Sequence, residues 1–270
     1  MQKKVTFSPL AVFKHALQIW WKNVAALIAI YSLTLLLTHA LKFYSVISRE
    51  FYVRIGEWAG TVFTTVMYAA VFFLNSFFVL IIVYYFMGTY KNRLTFDAAF
   101  KGARETSIYY FKALLLYVGI VFTLIGFAIF FFVVGRAYFG PQSVAGVNMP
   151  ALLMTSTVTV VLLITSFWYG FFFSLAPLIA AFESQGARVS LGISKSRIKH
   201  APWRYLFVFL IFLGLYFFVG VIVYSVAAIF IGEKSVLGWI DPVMMAVWTP
   251  LWLGIWALSY QKLTDGKSKA

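Results

Sequence analysis

Few side chains in this sequence have the types and spacings that acid–base, metal or nucleophilic chemistry requires. The chain contains three histidines, eight acidic residues and no cysteine, which excludes thiol catalysis and cysteine metal sites. His15, His39 and His200 lie far apart in the chain, and none belongs to an HExxH pattern. Glycine-rich phosphate loops of the GxGxxG type are also missing. We therefore predict a protein that is not an enzyme, with no catalytic residue, no metal site and no cofactor.

Uncharged polar residues within long apolar stretches form a second group of candidates. Asn75, Thr159, Thr165 and Ser166 have side chains that donate and accept hydrogen bonds. They could line a path for a neutral or amphiphilic substrate, with Asn75 as the main candidate because its amide must find a buried partner. Helix packing is the simpler interpretation, since Ser, Thr and Asn commonly hydrogen-bond between membrane helices.

Ionisable residues are absent from the middle of these apolar stretches. Ion-coupled transporters and proton pumps need such groups, although each costs about 2.5–3.5 kcal/mol at the centre of a membrane helix. Asp241 comes nearest to meeting this need. Because Pro242 follows it, we predict that Asp241 caps a helix that begins at Pro242 rather than binding an ion.

The apolar stretches are long enough to cross a membrane. Hydrophobic residues make up 63% of the 270 residues and charged residues 11%, too few to cover a water-soluble surface. A helix that crosses the bilayer needs about 20 apolar residues. We predict an all-α, polytopic integral membrane protein, a single transmembrane domain over 1–270, with about six transmembrane helices. They are placed at 24–41, 61–86, 108–134, 151–182, 204–231 and 238–260.

Two of these spans are expected to be irregular. A helix over 151–182 would be about 48 Å long, which exceeds the hydrocarbon core of roughly 30 Å. It must therefore tilt, kink at Pro177 or extend beyond the bilayer. The last span contains Pro242 and Pro250, so we expect it to be broken or kinked.

The net charge of +14 is unevenly distributed along the chain. Five of the 22 Lys and Arg residues, Lys42, Arg49, Arg54, Arg136 and Lys234, lie in one set of loops, and the other seventeen lie in the opposite set. Cytoplasmic loops carry the excess of basic residues, so both termini are predicted to be cytoplasmic. This distribution indicates membrane topology rather than nucleic-acid binding.

Basic residues at the cytoplasmic interface are also candidates for contact with anionic lipid headgroups. The predicted contacts are Lys101, Arg104, Lys195, Arg197 and Lys199. The predicted partners are therefore membrane lipids. An alternative is that these charges only direct topology during insertion.

Three cytoplasmic segments resemble one another and suggest an internal repeat. They are LAVFKHAL at 10–17, DAAFKGAR at 97–104 and SLGISKSR at 190–197, each followed by an aromatic–basic step into an apolar span. We predict three units of an interfacial amphipathic helix plus a helical hairpin. The units cover 8–86, 95–182 and 188–262, with short helices at 10–22, 95–107 and 188–200 and a flexible tail at 263–270. In the first helix, Leu10, Phe13 and Leu17 would share the face toward the acyl chains.

The stretch 176–206 resembles a pattern in YciC-like bacterial membrane proteins and in the related membrane domain of some glycerophosphodiester phosphodiesterases. The residues that carry the resemblance are Pro177, Glu183, Ser190, Ser194, Lys199 and Trp203. The resemblance implies a multi-helix protein of the bacterial inner membrane, without catalysis in its membrane part. A soluble phosphodiesterase domain is absent from these 270 residues, so that activity is not implied.

Three functional interpretations remain open at this point. The first is a non-enzymatic protein that acts through lipids or partner proteins in envelope homeostasis. The second is a channel, permease or lipid-moving transporter, with a path between the hairpins. The third is an intramembrane enzyme, which lacks any recognisable catalytic set. A dry interior filled with aromatic rings would favour the first, and a continuous polar groove lined by Asn75 and the hydroxyls of 151–182 the second.

Overall fold

The computed structural model describes residues 8–36, 56–90, 95–139, 148–230 and 234–265. Apart from short caps and turns, these residues are helical, and no strand occurs among them. The prediction of an all-α fold is confirmed.

Nine helices are present within the described ranges, numbered here in chain order. They are α1 (Pro9–Lys22), α2 (Val24–Leu36), α3 (Glu57–Tyr90), α4 (Phe96–Phe139), α5 (Met149–Phe173), α6 (Ala176–Glu183), α7 (Ala187–Lys199), α8 (Pro202–Phe230) and α9 (Lys234–Asp265).

Five stretches within the described ranges are long and apolar enough to cross a bilayer. They are Gly60–Gly88, Phe96–Tyr138, Met149–Glu183, Pro202–Val226 and Ile240–Thr264. The α1–α2 pair, bent by 87°, adds a sixth if the pair counts as one span. The chain is therefore a membrane-embedded helical protein, in agreement with the prediction of about six spans. Residues 37–41, the end of the first predicted span, lie outside the described residues.

The bend between α1 and α2 is held by one asparagine. Ser8 and Pro9 begin α1, with the Ser8 hydroxyl accepting from a first-turn amide. At the other end, the Asn23 amide nitrogen donates to the Ile19 carbonyl at 2.8 Å. The Tyr85 hydroxyl of α3 donates to the Asn23 amide oxygen at 2.7 Å. Because Asn23 bonds to α1 and to α3, it fixes the bend between α1 and α2 against α3.

The chain separates into two compact units, one formed by Met1–Ser107 with Ala201–Ala270 and the other by Ile108–His200. In the first unit α9 is the central helix, since α1, α3 and α8 all pack on it. The Trp20 indole of α1 donates to the Val247 carbonyl of α9 at 3.1 Å. Gly254 of α9 lies against the buried ring of Phe86 on α3, which leaves no room for a side chain there.

Aromatic rings fill the contact between α8 and α9. The centroids of Phe209 and Trp252 lie 4.5 Å apart, and those of Phe212 and Trp252 4.8 Å apart. Trp248 contacts Phe212 and Tyr216 with centroid distances of 5.8 and 6.1 Å. These positions recur every three or four residues on both helices, so one face of each helix supplies the rings.

In the second unit, the part of α4 after Ser107 packs through close approaches to α5. The Thr159 hydroxyl, which donates to Thr155 of its own helix, also lies 3.4 Å from the Ala128 carbonyl of α4. Nearer the other end of α5, the Tyr117 hydroxyl donates to the Gly170 carbonyl at 3.3 Å. Small and hydroxyl side chains thus bring the two backbones together, as is typical of membrane helix pairs.

The prediction of three equivalent short helices is wrong for the second segment. Residues 95–107 do not form a separate helix, because α4 runs without a break from Phe96 to Phe139. The other two segments end at helix-stopping residues, Asn23 and the pair Ala201–Pro202, whereas no such residue follows 107. The triplication and the placement of α1 and α7 along the membrane surface remain predictions.

The predicted cap at Asp241 is also wrong. Asp241 and Pro242 lie inside α9, which begins at Lys234 and runs through Pro250 as well. The helix is therefore not broken at either proline. A proline removes one helical hydrogen bond, and membrane helices tolerate this loss because neighbouring groups compensate. The Asp241 carboxylate instead accepts a hydrogen bond from the Tyr224 hydroxyl of α8.

Candidate functional site

The membrane span Met149–Glu183 contains a break between α5 and α6. Helix α5 ends at Phe173, and α6 begins with Pro177 in its first turn. Proline has no amide hydrogen and cannot donate to the carbonyl four residues before it. The sequence left three alternatives for this span, a tilt, a kink at Pro177 or an extension beyond the bilayer, and the structure shows the helix interrupted at Ser174 and Leu175, just before Pro177. A break inside a membrane protein leaves backbone groups that need other partners.

Ser194 of α7 supplies partners to both sides of this break. Its hydroxyl donates to the Phe172 carbonyl at 2.7 Å and accepts from the Leu175 amide at 3.2 Å. Ser194 is completely buried, so water does not compete for these bonds. One side chain of α7 thus completes the backbone hydrogen bonding where α5 meets α6.

An ion pair joins the end of α6 to the end of α7. Arg197 donates to both carboxylate oxygens of Glu183, at 2.5 and 3.0 Å. The arginine side chain is 7% exposed and the glutamate 25% exposed. A two-point contact between a planar guanidinium and a carboxylate fixes distance and orientation together. The pair therefore locks the α6–α7 hairpin, defined here as Ala176–Lys199, in the same register that places Ser194 at the break.

The turn of the α6–α7 hairpin reverses the chain within three residues. Ser184 ends α6 with φ 51° and ψ 34°, in the left-handed region that favours glycine at helix ends. Gly186 then begins α7, and its carbonyl accepts from the buried Ser190 hydroxyl at 3.0 Å. This reversal allows α7 to pack against both α6 and α5.

The opposite side of α7 carries exposed cations. Arg188, Lys195 and Lys199 are all exposed. Lys195 and Lys199 follow Arg188 by seven and eleven residues, which places all three on one side at 3.6 residues per turn. Glycine 192 lies between them on the same side, with nothing within 4 Å of the position where a Cβ would be. We call Arg188, Lys195 and Lys199 the α7 cationic face.

Arg197 does not belong to this face, and its prediction as a lipid headgroup contact is wrong. Its guanidinium points inward to Glu183 and is nearly inaccessible. A guanidinium that is held in this buried pair cannot also contact a headgroup at the surface. The other two predicted contacts on α7, Lys195 and Lys199, are exposed, and so is Arg188, which the sequence analysis did not select.

The two predicted contacts at the start of α4 have a different environment. Lys101 and Arg104 are exposed, but so are Asp97 and Glu105 on the same two turns. The four charges cancel, so this segment offers an anion much less attraction than α7 does. The candidate cations therefore divide into a neutral set in the first unit and an uncompensated set in the second.

The candidate path residues do not come together within one unit. Thr159, Thr165 and Ser166 belong to the second unit, whereas Asn75 is half-buried on α3 in the first. The hydroxyls of Thr165 and Ser166 donate to the Val161 and Leu162 carbonyls of their own helix at 2.7 and 2.9 Å. Hydroxyls bonded in this way contribute to helix packing rather than presenting a donor to a passing substrate.

Metal-ligand side chains are scattered across the part of the chain that the structure describes. In that part no three residues among His, Asp and Glu lie close enough together to hold a metal ion. His15 and His200 are exposed, and His39 lies outside the described residues.

Two polar contacts were not predicted from the sequence, the largely buried Glu183–Arg197 pair and the exposed Tyr224–Asp241 hydrogen bond. A signal existed for the first, because Glu183 is the single acidic residue between Glu105 and Glu233. A lone carboxylate in a long apolar region indicates a partner. The sequence offered several basic residues within reach, however, and could not distinguish Arg197 from its neighbours.

Comparisons with known proteins find no relative, since no family model, no curated protein and no solved structure matches the chain. The class of protein therefore follows from the fold, which is that of a polytopic α-helical membrane protein.

Proposed function

We propose that this chain is a non-enzymatic multi-pass protein of the bacterial cytoplasmic membrane that acts through lipids or partner proteins in envelope homeostasis. The observation that carries the proposal is the character of the interior of each unit, which is packed with aromatic rings and with hydroxyls bonded to helix carbonyls. Such an interior serves to hold the helices together.

In the first unit, aromatic rings fill the contact between α8 and α9. Successive rings along the α8–α9 contact have centroids less than 6 Å apart. They belong to Phe209, Trp252, Phe212 and Trp248. Gly254 allows Phe86 to approach the α9 backbone directly. Close aromatic packing of this kind leaves no room for a chain of water or a polar substrate among these residues.

In the second unit, the polar residues that favoured a transporter have structural partners. Thr159 contacts carbonyls of both α4 and α5, and Ser194 closes the break between α5 and α6. These bonds support the packing interpretation, so the channel or permease alternative has less support than the non-enzymatic one.

Two features of the sequence support the proposed membrane location and orientation. The basic residues cluster in loops that are predicted to be cytoplasmic, which supports cytoplasmic N- and C-termini. The resemblance of 176–206 to YciC-like proteins supports a bacterial inner-membrane location. Three of the residues that carry the resemblance lie in the α6–α7 hairpin, where Glu183 and Ser194 form its polar contacts and Pro177 stands in the first turn of α6.

A paired experiment tests the proposal. The full chain is reconstituted in liposomes and assayed for release of trapped ions and small neutral solutes, and the producing bacterium is depleted of the protein and challenged with detergent. We expect no release above that of empty liposomes, together with detergent sensitivity that the intact chain reverses. Selective solute flux through the reconstituted protein, or depleted cells with a normal envelope, would contradict the proposal.

A further inference from the structure

We propose that the α7 cationic face, formed by Arg188, Lys195 and Lys199, is a binding site for the phosphate-containing headgroups of anionic phospholipids. This inference rests on the proposed function, in that it assigns the lipid-contacting surface to one side of one helix. It also excludes Arg197 and the start of α4 from that surface.

The orientation of the α7 cationic face is determined by contacts on the opposite, buried side of the same helix. Ser190, Ser194 and Arg197 are buried and bonded to Gly186, to the α5–α6 break and to Glu183. Gly186 is the N-cap of α7 itself, so the contacts that hold α7 to other elements are those of Ser194 and Arg197, and these two contacts define its rotation about its own axis. The opposite side, with the three cations, is therefore presented outward in one arrangement rather than as a mobile loop.

The charge of the face has no counterpart nearby in the chain. Glu183 is the single acidic residue in 108–200, and Arg197 occupies both of its oxygens. Three exposed cations on one helix side then attract anions from outside the protein. The start of α4 differs from the α7 cationic face, because acidic residues beside Lys101 and Arg104 cancel their positive charge.

The position of α7 between two membrane spans favours a lipid headgroup, rather than a soluble anion, as the ligand. The helix directly follows the span Met149–Glu183 and is followed by the span Pro202–Val226. We expect a short helix between two spans to lie where the chain leaves and re-enters the bilayer, at the level of the headgroups. Anionic lipid is concentrated there, whereas soluble anions are not.

Gly192 provides the approach to the site. It lies between Arg188 and Lys195 on the exposed side, and no atom lies within 4 Å of the place where its Cβ would be. A phosphate can therefore approach the helix between the cations without meeting a side chain. The same open space means that a substitution at Gly192 causes no clash and tests the face without disturbing the buried side.

Gly192→Glu and Gly192→Gln form a matched pair for the test. Both side chains extend into the same open space, and both replace a glycine inside a helix with a better helix former. Only the glutamate brings a negative charge among the three cations. A basic residue at an anionic leaflet contributes about 1 kcal/mol, or roughly fivefold in binding. We expect Gly192→Glu to weaken binding by about fivefold relative to Gly192→Gln.

The measurement is native mass spectrometry of the full chain in detergent, titrated with phosphatidylglycerol, with phosphatidylcholine and with inorganic phosphate. We expect the intact chain and Gly192→Gln to prefer phosphatidylglycerol over phosphatidylcholine, and Gly192→Glu to show this preference reduced by about fivefold. Inorganic phosphate at millimolar concentration should not displace the lipid. Equal lipid preference in both variants would overturn the site, as would displacement by phosphate, which would make the ligand a soluble anion.

A triple substitution provides a second and independent comparison. Arg188→Gln, Lys195→Gln and Lys199→Gln together should abolish the preference for phosphatidylglycerol. The control replaces Lys101, Arg104 and Lys112, three exposed cations of α4, by Gln and changes the net charge equally. An equal loss in both triple variants would overturn the assignment to α7. That outcome would leave the envelope role intact, because the detergent challenge of depleted cells is a separate readout.

Discussion

At the scale of single residues, the α6–α7 hairpin depends on two polar side chains whose burial makes them expensive to change. Ser194 is fully buried and Arg197 is 7% exposed. A buried polar group that loses its partner costs more than the hydrogen bond contributes when it is present. Substitutions at these two positions should therefore affect stability far more than equal substitutions on the outer side of α7.

Ser194→Ala is expected to destabilise the protein by about 1–3 kcal/mol, because it leaves the buried Leu175 amide without its side-chain acceptor. The matched control is Ser196→Ala, two residues away and exposed, which should change stability by less than about 0.5 kcal/mol. Thermal unfolding of the purified protein in detergent compares the two. Equal melting temperatures for both variants would show that the break does not depend on Ser194.

The Glu183–Arg197 pair should respond asymmetrically to loss of either partner. Glu183→Gln removes the charge that compensates a nearly inaccessible guanidinium, and breaking a buried pair in this way costs about 3–5 kcal/mol. Arg197→Met keeps most of the side-chain volume and leaves a carboxylate that is 25% exposed and can still reach water. We therefore expect the larger loss of stability from Glu183→Gln.

Unfolding of the two variants by heat or denaturant in detergent measures this order. Lys195→Met serves as the control, because Lys195 is an exposed cation on the same helix and should tolerate the change. If Arg197→Met proved the more damaging substitution, the unpaired Glu183 carboxylate would cost more than the unpaired Arg197 guanidinium, and the expected order would be wrong.

At the scale of elements, α9 organises the first unit although its sequence is the least regular of the spans. It contains Pro242 and Pro250 and yet is the most buried span, with 61% of its most apolar window inside the protein. Its neighbours also bond to its backbone, since the Trp20 indole donates to the Val247 carbonyl. Close approach at Gly254 then determines how tightly α3 packs against it.

Gly254→Ala should test that close approach. A Cβ at this position would overlap the ring of Phe86, which is fully buried and cannot move aside. Overpacking of this kind costs about 1–3 kcal/mol. Gly214→Ala in α8 is the control, because no atom lies within 4 Å of its Cβ position and alanine is the better helix former by about 1 kcal/mol.

The two glycine variants should therefore shift the melting temperature in opposite directions, down for Gly254→Ala and slightly up for Gly214→Ala. Phe86→Leu combined with Gly254→Ala should recover part of the loss, because the smaller side chain makes room for the methyl group. A neutral Gly254→Ala variant would mean that α3 and α9 separate at no cost.

At the scale of the whole molecule, the distribution of charge predicts orientation in the membrane. Reporter fusions after Lys101 and Lys195 should score as cytoplasmic, and fusions after Arg49 and Arg136 as external, because the basic residues concentrate on one side. Arg49 lies outside the described residues. An external score at Lys195 would reverse the topology and would also place the α7 cationic face on the wrong leaflet for an anionic cytoplasmic surface.

The sequence by itself determined the membrane class and the approximate positions of the spans. A chain with 63% hydrophobic residues in blocks of 20 or more can satisfy its backbone in a bilayer only as helices. A kink at Pro177 was also among the predicted alternatives, because proline lacks the amide hydrogen wherever it occurs. The positions of the spans and the effect of the proline depend on composition and on residues adjacent in the chain, and both can be read directly from the sequence.

Only the tertiary structure decided which polar residues meet. Arg188, Lys195, Arg197 and Lys199 are chemically alike in the sequence, yet the packing of α7 on α5 and α6 turns Arg197 toward Glu183 and the other three outward. The continuity of α9 through Pro242 likewise depends on the neighbours of that helix. These outcomes rest on contacts between residues 14 or more apart in the chain, where small differences in packing decide among partners of equal chemistry.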